Sequence, residues 1–333
     1  MSRGTYKRGE PRRLVGADNS LVPADAIMTR EQAEELVHRI VKFSKADDIS
    51  VNLNSGYQTD VRFAANQIST SGAVITGGMG VQSTIGKKHA VATTNDFSDA
   101  SLQAVVEKSE ALAKLSPDDP EVMPGLGPQT YLPVNGYFDS TANLTPTDRA
   151  RAALTALDPA RKAGDLTAAG FIIVNSGSNA LGNGKGLFAY NRATNANYTL
   201  TVRTNDGTGS GWVGAEHPDW NQINFAELSQ HAMERARLSR NPVAIEPGRY
   251  EVILEPQAVG DLVQLMGGSL AARSADEGRS AFTKPGGGNK IGEKIVDARV
   301  TLFSDPQDPQ LLGQPFDGQG FPLSRQVWVE NGV

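Results

Sequence analysis

Residues 248–273 read GRYEVILEPQAVGDLVQLMGGSLAAR, and the pattern of this stretch changes in its middle. The run Tyr250–Leu254 is rich in residue types that favour strands, and Pro256 follows soon after it. Proline is tolerated in a first helical turn, because the N–H that it lacks would be unpaired there. Apolar residues then recur at the spacing of one helix face, at Val259, Leu262, Val263, Met266 and Leu270. The stretch therefore predicts a strand, a turn and a helix.

The same mixture of strands and helices is expected earlier in the chain. Thr29 begins a capping box, in which side chains satisfy free N–H groups at a helix start, and an apolar helical stripe follows it. Residues 49–53 alternate as a half-buried strand, and Asn54-Ser55-Gly56 predicts a turn before the next strand. Ser98 is expected to cap a second helix. This order predicts an N-terminal α+β domain over 29–119.

Four further regions complete the predicted organisation. Residues 1–28 lack periodicity and are interpreted as a disordered basic tail. Residues 120–143 are rich in Pro, Gly and Asp and predict a linker, and 144–242 predict a central region of helices and strands that opens with a helix at Thr147. Residues 243–333 form the predicted C-terminal domain. The fold class is α+β, with mixed or antiparallel sheets and packed helices in an N-terminal layer domain, a central α/β region and a β-rich C-terminal domain.

Composition excludes several classes of protein. The chain has 333 residues with 39% hydrophobic and 21% charged residues, which is typical of a globular protein with a sizeable core. A net charge of −5 argues against a general nucleic-acid binder, since such a protein needs a basic face. No apolar run approaches the roughly 20 residues that span a bilayer, so no membrane role is expected. The absence of cysteine fits a reducing compartment, and we expect a cytoplasmic location.

Two kinds of motif would indicate a cofactor or a metal, and neither occurs here in a form that binds one. Residues 209–214, GSGWVG, match the G-x-G-x-x-G spacing, yet His217-Pro218 follows where a dinucleotide site needs a helix N-terminus. The chain contains four histidines, and none forms a His-x-x-x-His or His-x-x-His pair: His38, His89, His217 and His231. Neither motif predicts a bound group, so we expect no cofactor.

Three segments are similar to patterns shared by one known family: VRFAANQISTSG at 61–72, SPDDPE at 116–121 and NGKGL at 183–187. Through these segments the chain resembles the TldD/PmbA family, whose members include proteins described as modulators of DNA gyrase, and the likeness runs from about residue 34 onward. The first segment is similar to the family pattern Arg-Phe-Ala-Asn-x-Gln/Arg-Ile. Within the signature, Ala65 departs from the family's Asn. Arg62 and Asn66 are candidates for contact with a peptide or another subunit.

The resemblance also identifies where a zinc site would lie. In TldD-type members the helix after the 250–254 strand carries His-Glu-x-x-x-His. Here the matching positions hold Gln264, Leu265 and Ser269. Leucine can be neither ligand nor base, and glutamine and serine are poor zinc ligands at neutral pH. We therefore expect no metal and no catalytic residue in this chain.

The resemblance implies a TldE/PmbA-like subunit, inactive alone, of a TldD-type zinc metalloprotease that degrades or processes unfolded peptides. Its expected partners are a TldD-like chain in a heterodimer, or a second copy of itself, and unfolded peptides. Two alternatives stay open, which are regulation of DNA gyrase and a stand-alone peptidase of unrecognised mechanism.

The C-terminal domain is expected to be truncated. Asn331-Gly332 is the preferred pair of a two-residue hairpin turn, and it follows the strand-like run LSRQVWVE. Family chains continue beyond this point, so we expect a returning strand to be missing or to come from another chain.

Overall fold

The structure is a computed structural model that describes residues 27–333. The predicted basic tail over 1–28 lies outside the described residues except for its last two. Ile27 and Met28 are buried, and the backbone N–H of Met28 donates to the Ser55 hydroxyl at 2.7 Å. These two residues are therefore part of the folded chain and not of a tail.

The chain divides into two compact units. The first comprises the described residues up to Pro242 together with Pro306–Leu323, and the second comprises Val243–Asp305 and Ser324–Val333. A segment of the predicted C-terminal region 243–333 thus belongs to the first unit. Within that unit Phe316 packs against Leu181, Leu187 and Ala189 in a small core cluster.

The first unit alternates helices and long strands. Its helices are α1 (Arg30–Phe43), α2 (Asp99–Leu115), α3 (Asp139–Ala142), α4 (Pro146–Ala163) and α5 (Phe225–Leu238), with a short 3₁₀ turn at Trp220–Gln222. Its strands are β1 (Asp48–Ala64), β2 (Gln67–Ile85), β3 (Lys88–Thr94), β4 (Leu166–Asn183), β5 (Phe188–Thr204) and β6 (Ser210–His217).

All six strands form one antiparallel sheet in the order β3-β2-β1-β4-β5-β6. The pairing of β1 with β4 joins the predicted regions 29–119 and 144–242, so the sheet continues across the predicted linker. With the helices packed on it, this sheet confirms the α+β class.

The helices cover one face of the sheet. Alternate residues of β1 are buried, beginning with Ile49 and Val51. These two residues share a core cluster with Leu36 of α1 and Leu102 of α2. A second cluster joins the other end of β1 and strands β4, β5 and β6 to α4 and α5. The intervening residues of the central strands lie on the opposite face, which Phe316 of the 306–323 segment covers at Leu181 and Ala189 and which we call the open face.

The helix starts follow the sequence closely. Thr29 forms the predicted capping box with Gln32. Ser98 occupies the N-cap position of α2, but its side chain makes no capping hydrogen bond. The helix predicted to open at Thr147 begins earlier, because Thr145 caps it and Pro146 takes the first helical position.

The turn predicted at Asn54-Ser55-Gly56 is wrong. These residues continue β1 and pair on both sides, with β2 and with β4. The chain reverses instead at Ala65 and Asn66, whose φ angles of 49° and 60° suit a two-residue hairpin. Turn-forming residue types at 54–56 are accommodated because partners on both sides complete the backbone hydrogen bonds.

The second unit contains little buried apolar surface. The predicted strand Tyr250–Leu254 is not a strand here, and the side chain of Ile253 is 98% exposed. Pro256 does begin a helix, α6 (Pro256–Gly267), which is followed by a 3₁₀ turn at Gly268–Leu270 and by α7 (Ala272–Asp276). Two short strands, β7 (Leu302–Ser304) and β8 (Gln326–Val329), pair antiparallel. Asn331 and Gly332 have positive φ, as expected of a hairpin pair.

None of the helices in the described residues is long and apolar enough to cross a membrane.

The contact of β6 with α5 gives a test of this architecture. A Cβ at Gly211 would lie 2.2 Å from the Ala232 carbonyl oxygen and 2.6 Å from the Ala236 nitrogen, both backbone atoms of α5. Gly211→Ala should therefore lower the free energy of unfolding by about 1–3 kcal/mol or more, measured by urea denaturation. Gly127→Ala is the control, since nothing lies within 4 Å of its added Cβ. Equal stability of the two variants would contradict this packing.

Candidate functional site

The three positions that match the zinc motif do not share one helix. Gln264 and Leu265 lie on α6 and are exposed, Leu265 by 78%. Ser269 lies beyond the end of α6, in the 3₁₀ turn, and its carbonyl oxygen accepts a hydrogen bond from the Ser280 hydroxyl at 2.6 Å. Side chains of these types in this arrangement do not fit a zinc ion. Within residues 27–333, no three His, Cys, Asp or Glu side chains group closely enough to hold a metal.

Two of the histidines have local structural partners. The Nε2 atom of His89 lies 3.0 Å from Oδ2 of Asp119. The Nδ1 atom of His217 accepts a hydrogen bond from the backbone N–H of Asp219 at 2.9 Å. Each contact holds a loop against a neighbouring strand end, so a structural role accounts for both histidines.

Asn66 connects the β1–β2 hairpin to the start of β4 through hydrogen bonds. Its side-chain Nδ2 donates to the Leu166 carbonyl at 2.9 Å, and its Oδ1 accepts from the Ala168 N–H at 2.7 Å. Its backbone N–H donates to the Ala168 carbonyl at 3.2 Å, and its own carbonyl accepts from Arg161 at 2.8 Å. The carboxamide thus extends the β1–β4 pairing past the end of β1. Contact with a peptide or subunit, as the sequence suggested, stays a prediction.

Arg62 lies apart from Asn66, on the open face of β1. It is exposed, and its strand partners are Thr70 and Phe171. The two residues therefore differ in their surroundings. The Asn66 amide makes hydrogen bonds within the fold, and the Arg62 guanidinium faces outward.

The open face of the sheet carries two rows of carboxamides that sequence reasoning missed. Directly paired residues share a face and lie side by side. The register aligns Asn54 of β1 with Asn179 of β4, and Asn179 with Asn191 of β5. Four residues along each strand, the same register aligns Gln58 with Asn175 and then Asn195.

Between these rows lies a row of small residues. Gly56 pairs with Gly177, and Gly177 pairs with Ala193. An added Cβ at Gly56 would lie 3.1 Å from the Thr76 hydroxyl, and one at Gly177 would lie 3.1 Å from the Ser55 carbonyl. The small residues thus form the floor, and the carboxamides the two walls, of a channel across three strands. We refer to it as the amide trench.

The amide trench is part of a cleft of about 510 Å³. Val74 and Thr76 of β2 and Leu312 and Gln314 of the 306–323 segment also border this cleft. None of the residues that line it, in the described part of the chain, carries a charged side chain. The arrangement can therefore exchange hydrogen bonds with a ligand but offers no charge to an ion.

The hydrogen-bonding capacity of the amide trench is largely unused. Asn191 is 9% exposed, and no hydrogen bond joins its carboxamide to another described residue, so its polar atoms are left to solvent. The Oδ1 atom of Asn195 is buried and has no partner in residues 27–333, whereas its Nδ2 donates to Glu216 at 2.6 Å. Buried polar groups are normally satisfied, so the Asn195 Oδ1 indicates a place for a ligand or water.

Arg149 of α4 lies on the helix-covered side of the sheet. Burial lowers the pKa of this guanidinium, while nearby Tyr57 and Asp60 raise it. Its Nη1 donates to the Leu144 carbonyl at 2.9 Å. Tyr57 shares the face of β1 that carries the buried Ser55 and Thr59, so it lies toward the helices, and its neighbours Gly56 and Gln58 face the amide trench.

A sequence signal for the amide trench exists. Asn, Gln and Gly recur at two-residue spacing in β1 and β4, and Asn recurs in β5, as expected of one face of a strand. Spacing alone does not reveal which residues stand side by side, because that depends on the register between strands.

Comparison with known proteins identifies two matched regions. Residues 50–113 match the model of PmbA/TldA metallopeptidase domain 1, and residues 247–333 match that of the PmbA/TldA metallopeptidase C-terminal domain. A metalloprotease of Methanothermobacter thermautotrophicus is 26% identical over 111 residues, or 33% of this chain and 23% of that protein. The aligned stretch therefore spans less than a quarter of that relative's length.

Solved structures show the same fold at low identity. A protein proposed to modulate DNA gyrase, from Thermotoga maritima, is similar with a TM-score of 0.80 at 18% identity, covering 90% of this chain and 69% of that one. TldE from Thermococcus kodakarensis is similar with a TM-score of 0.76 at 17% identity, covering 90% of this chain and 68% of that one.

The internal role of the Asn66 side chain can be tested by comparison with its neighbour. Asn66→Gly keeps the positive φ but removes both side-chain hydrogen bonds to β4, so stability should fall by about 1–3 kcal/mol. Ala65→Gly, at φ 49°, removes no such bond and should change stability by less than about 1 kcal/mol. Urea denaturation measures both. An unchanged Asn66→Gly variant would show that the two hydrogen bonds do not hold the hairpin.

Proposed function

Because this chain belongs to the TldD/PmbA family, we propose that it is a subunit of a TldD-type zinc metallopeptidase and brings no zinc of its own. In this proposal the catalytic metal lies on a TldD-like partner chain. The subunit described here shapes the cleft through which unfolded peptides reach that metal, and it has no peptidase activity alone.

The observation that carries the proposal is the chemistry of the three motif positions. A zinc peptidase needs neutral imidazoles as ligands and a carboxylate that takes a proton from water. The side chain of Leu265 can do neither. Gln264 offers a neutral amide, and Ser269 a hydroxyl that holds its proton at neutral pH. Cysteine, the remaining strong zinc ligand, is absent from the chain.

The surface of α6 supports an association with another chain. The residues of this helix are all exposed or partly exposed, and its apolar members include Val259, Leu262 and Leu265. An apolar helix side is costly to leave in water, since each buried apolar side chain contributes roughly 1.5–3 kcal/mol. A partner subunit that covers α6 would recover this energy, and the helix would serve packing in place of metal binding.

The first prediction from this proposal concerns metal. The purified chain should hold no stoichiometric zinc after dialysis, measured by elemental analysis. The triple variant Gln264→His, Leu265→Glu, Ser269→His should bind zinc weakly at best, because Ser269 lies beyond α6 and a third protein ligand is lacking. One tightly held zinc per wild-type chain would overturn the proposal.

The second prediction concerns partnership. Mixed with a TldD-type chain, this protein should form a complex and raise cleavage of an unfolded peptide, and alone it should cleave nothing. Leu262→Ser with Leu265→Ser should weaken the complex without lowering stability, because both side chains are exposed. Val91→Ser is the matched control, because Val91 is an apolar residue of β3 whose exposure, 53%, is close to the 56% of Leu262. A TldD-type chain that is equally active and uncomplexed at micromolar concentration would contradict the subunit role, and retention on gyrase would favour regulation instead.

A further inference from the structure

We infer that the amide trench binds an uncharged, extended segment of polypeptide. The inference rests on the proposed function in that it locates a peptide site on this subunit. It concerns binding by this chain alone, however, and requires neither a partner nor a metal.

The dimensions of the amide trench fit a short extended chain. Neighbouring strands lie about 4.8 Å apart, so the floor across β1, β4 and β5 is about 10 Å long. An extended chain advances about 3.4 Å per residue, and the floor therefore accommodates about three residues. The Cα atoms of the two walls are four residues apart along each strand, or about 13 Å, which leaves room for a backbone between the carboxamides.

The walls match the two edges of an extended backbone. Each edge of such a backbone presents both N–H and C=O groups, so recognition requires donors and acceptors on both sides. A carboxamide supplies one of each. Gln58 and Asn175 stand in one wall, Asn179 and Asn191 stand in the other, and none of the four makes a side-chain hydrogen bond to a described residue.

Polar side-chain atoms that lack hydrogen-bond partners favour the binding of a peptide. The buried Oδ1 of Asn195 lacks a partner within the described residues, and the carboxamide of Asn191 is hydrogen-bonded to none of them. A peptide N–H that donates to the Asn195 Oδ1 would remove the cost of leaving that buried acceptor without a hydrogen bond. Glycines at the floor place no side chain between a ligand backbone and the sheet. An added Cβ would lie 3.1 Å from the Thr76 hydroxyl at Gly56 and 3.1 Å from the Ser55 carbonyl at Gly177.

The lining selects against other ligands. No charged residue lines the cleft within the described chain, so phosphates, nucleic acids and strongly charged peptides would lose hydration without compensation. An oligosaccharide would typically stack on an aromatic ring. Among the described residues that line the cleft, Tyr57 is the single aromatic one, and it belongs to the helix-covered face of β1. A neutral peptide is thus favoured over a sugar.

The test is an NMR titration of the isolated, ¹⁵N-labelled full chain. The probe is an acetylated and amidated octapeptide of Gly, Ser and Ala. The side-chain NH₂ signals of Asn175, Asn179 and Asn191 and the backbone signals of Gly56 and Gly177 should shift together. Maltoheptaose, added separately, should shift them little.

Variants then identify the hydrogen bonds. Asn175→Ala with Asn191→Ala should raise the Kd for the octapeptide about tenfold or more, as expected for two lost hydrogen bonds. Gln82→Ala is the control and should leave Kd within about twofold, because Gln82 lies on the same face of β2 but outside the cleft. If the double variant fails to fold, the wild-type shifts alone decide.

Four results would overturn the inference. The first is the absence of any shift at about 10 mM peptide, since a Kd above that concentration is too weak to be useful. The second is a set of shifts that lies outside the amide trench. The third is tighter binding of the sugar than of the peptide. The fourth is an unchanged Kd in a folded double variant. None of these results bears on complex formation with a TldD-type chain, so failure of the peptide site is distinguishable from failure of the subunit proposal.

Discussion

The antiparallel pairing of β1 with β4 is the contact on which the rest of the first unit depends. It runs from Ser50 opposite Asn183 to Phe63 opposite Gly170 and joins two hairpins into a single sheet. Because side chains alternate, this one register decides both faces at once. On the covered face it brings the two core clusters under the helices, and on the open face it aligns the carboxamide rows. A slip by one residue would expose the core and bury the amides.

Close contacts at Gly170 depend on the pairing of β4 with both of its neighbours. A Cβ there would lie 2.8 Å from the Phe63 ring of β1 and 2.1 Å from the Thr199 carbonyl oxygen of β5, so only glycine is accommodated. Asn66 continues the β1–β4 pairing through its side chain where the strand has ended. The family signature at 61–72 therefore coincides with a structural junction. Its residues serve the assembly of the sheet first, and any external role of Arg62 is separate.

Local signals in the sequence predicted local structure well. The capping box at Thr29 and the apolar stripe after it depend on neighbours in the chain, and α1 forms where these signals lie. The turn expected at 54–56 failed because pairing on both sides outweighs turn-forming residue types. The strand expected at 250–254 failed because a strand needs a partner, and none pairs with it in the described residues. The amide trench could not be predicted from the sequence for a related reason, because its rows form only when residues of different strands are paired.

The register of β1 against β4 can be measured directly, because the chain has no cysteine to interfere. Asn54→Cys with Asn179→Cys places two thiols directly opposite, at a Cα separation of about 5 Å that a disulfide spans. Asn52→Cys with Asn179→Cys places them diagonally, about 7–8 Å apart. Mild oxidation followed by mass spectrometry should find the bridge in the first variant and free thiols in the second. A bridge in the diagonal pair with free thiols in the direct pair would contradict the register, and with it the amide trench.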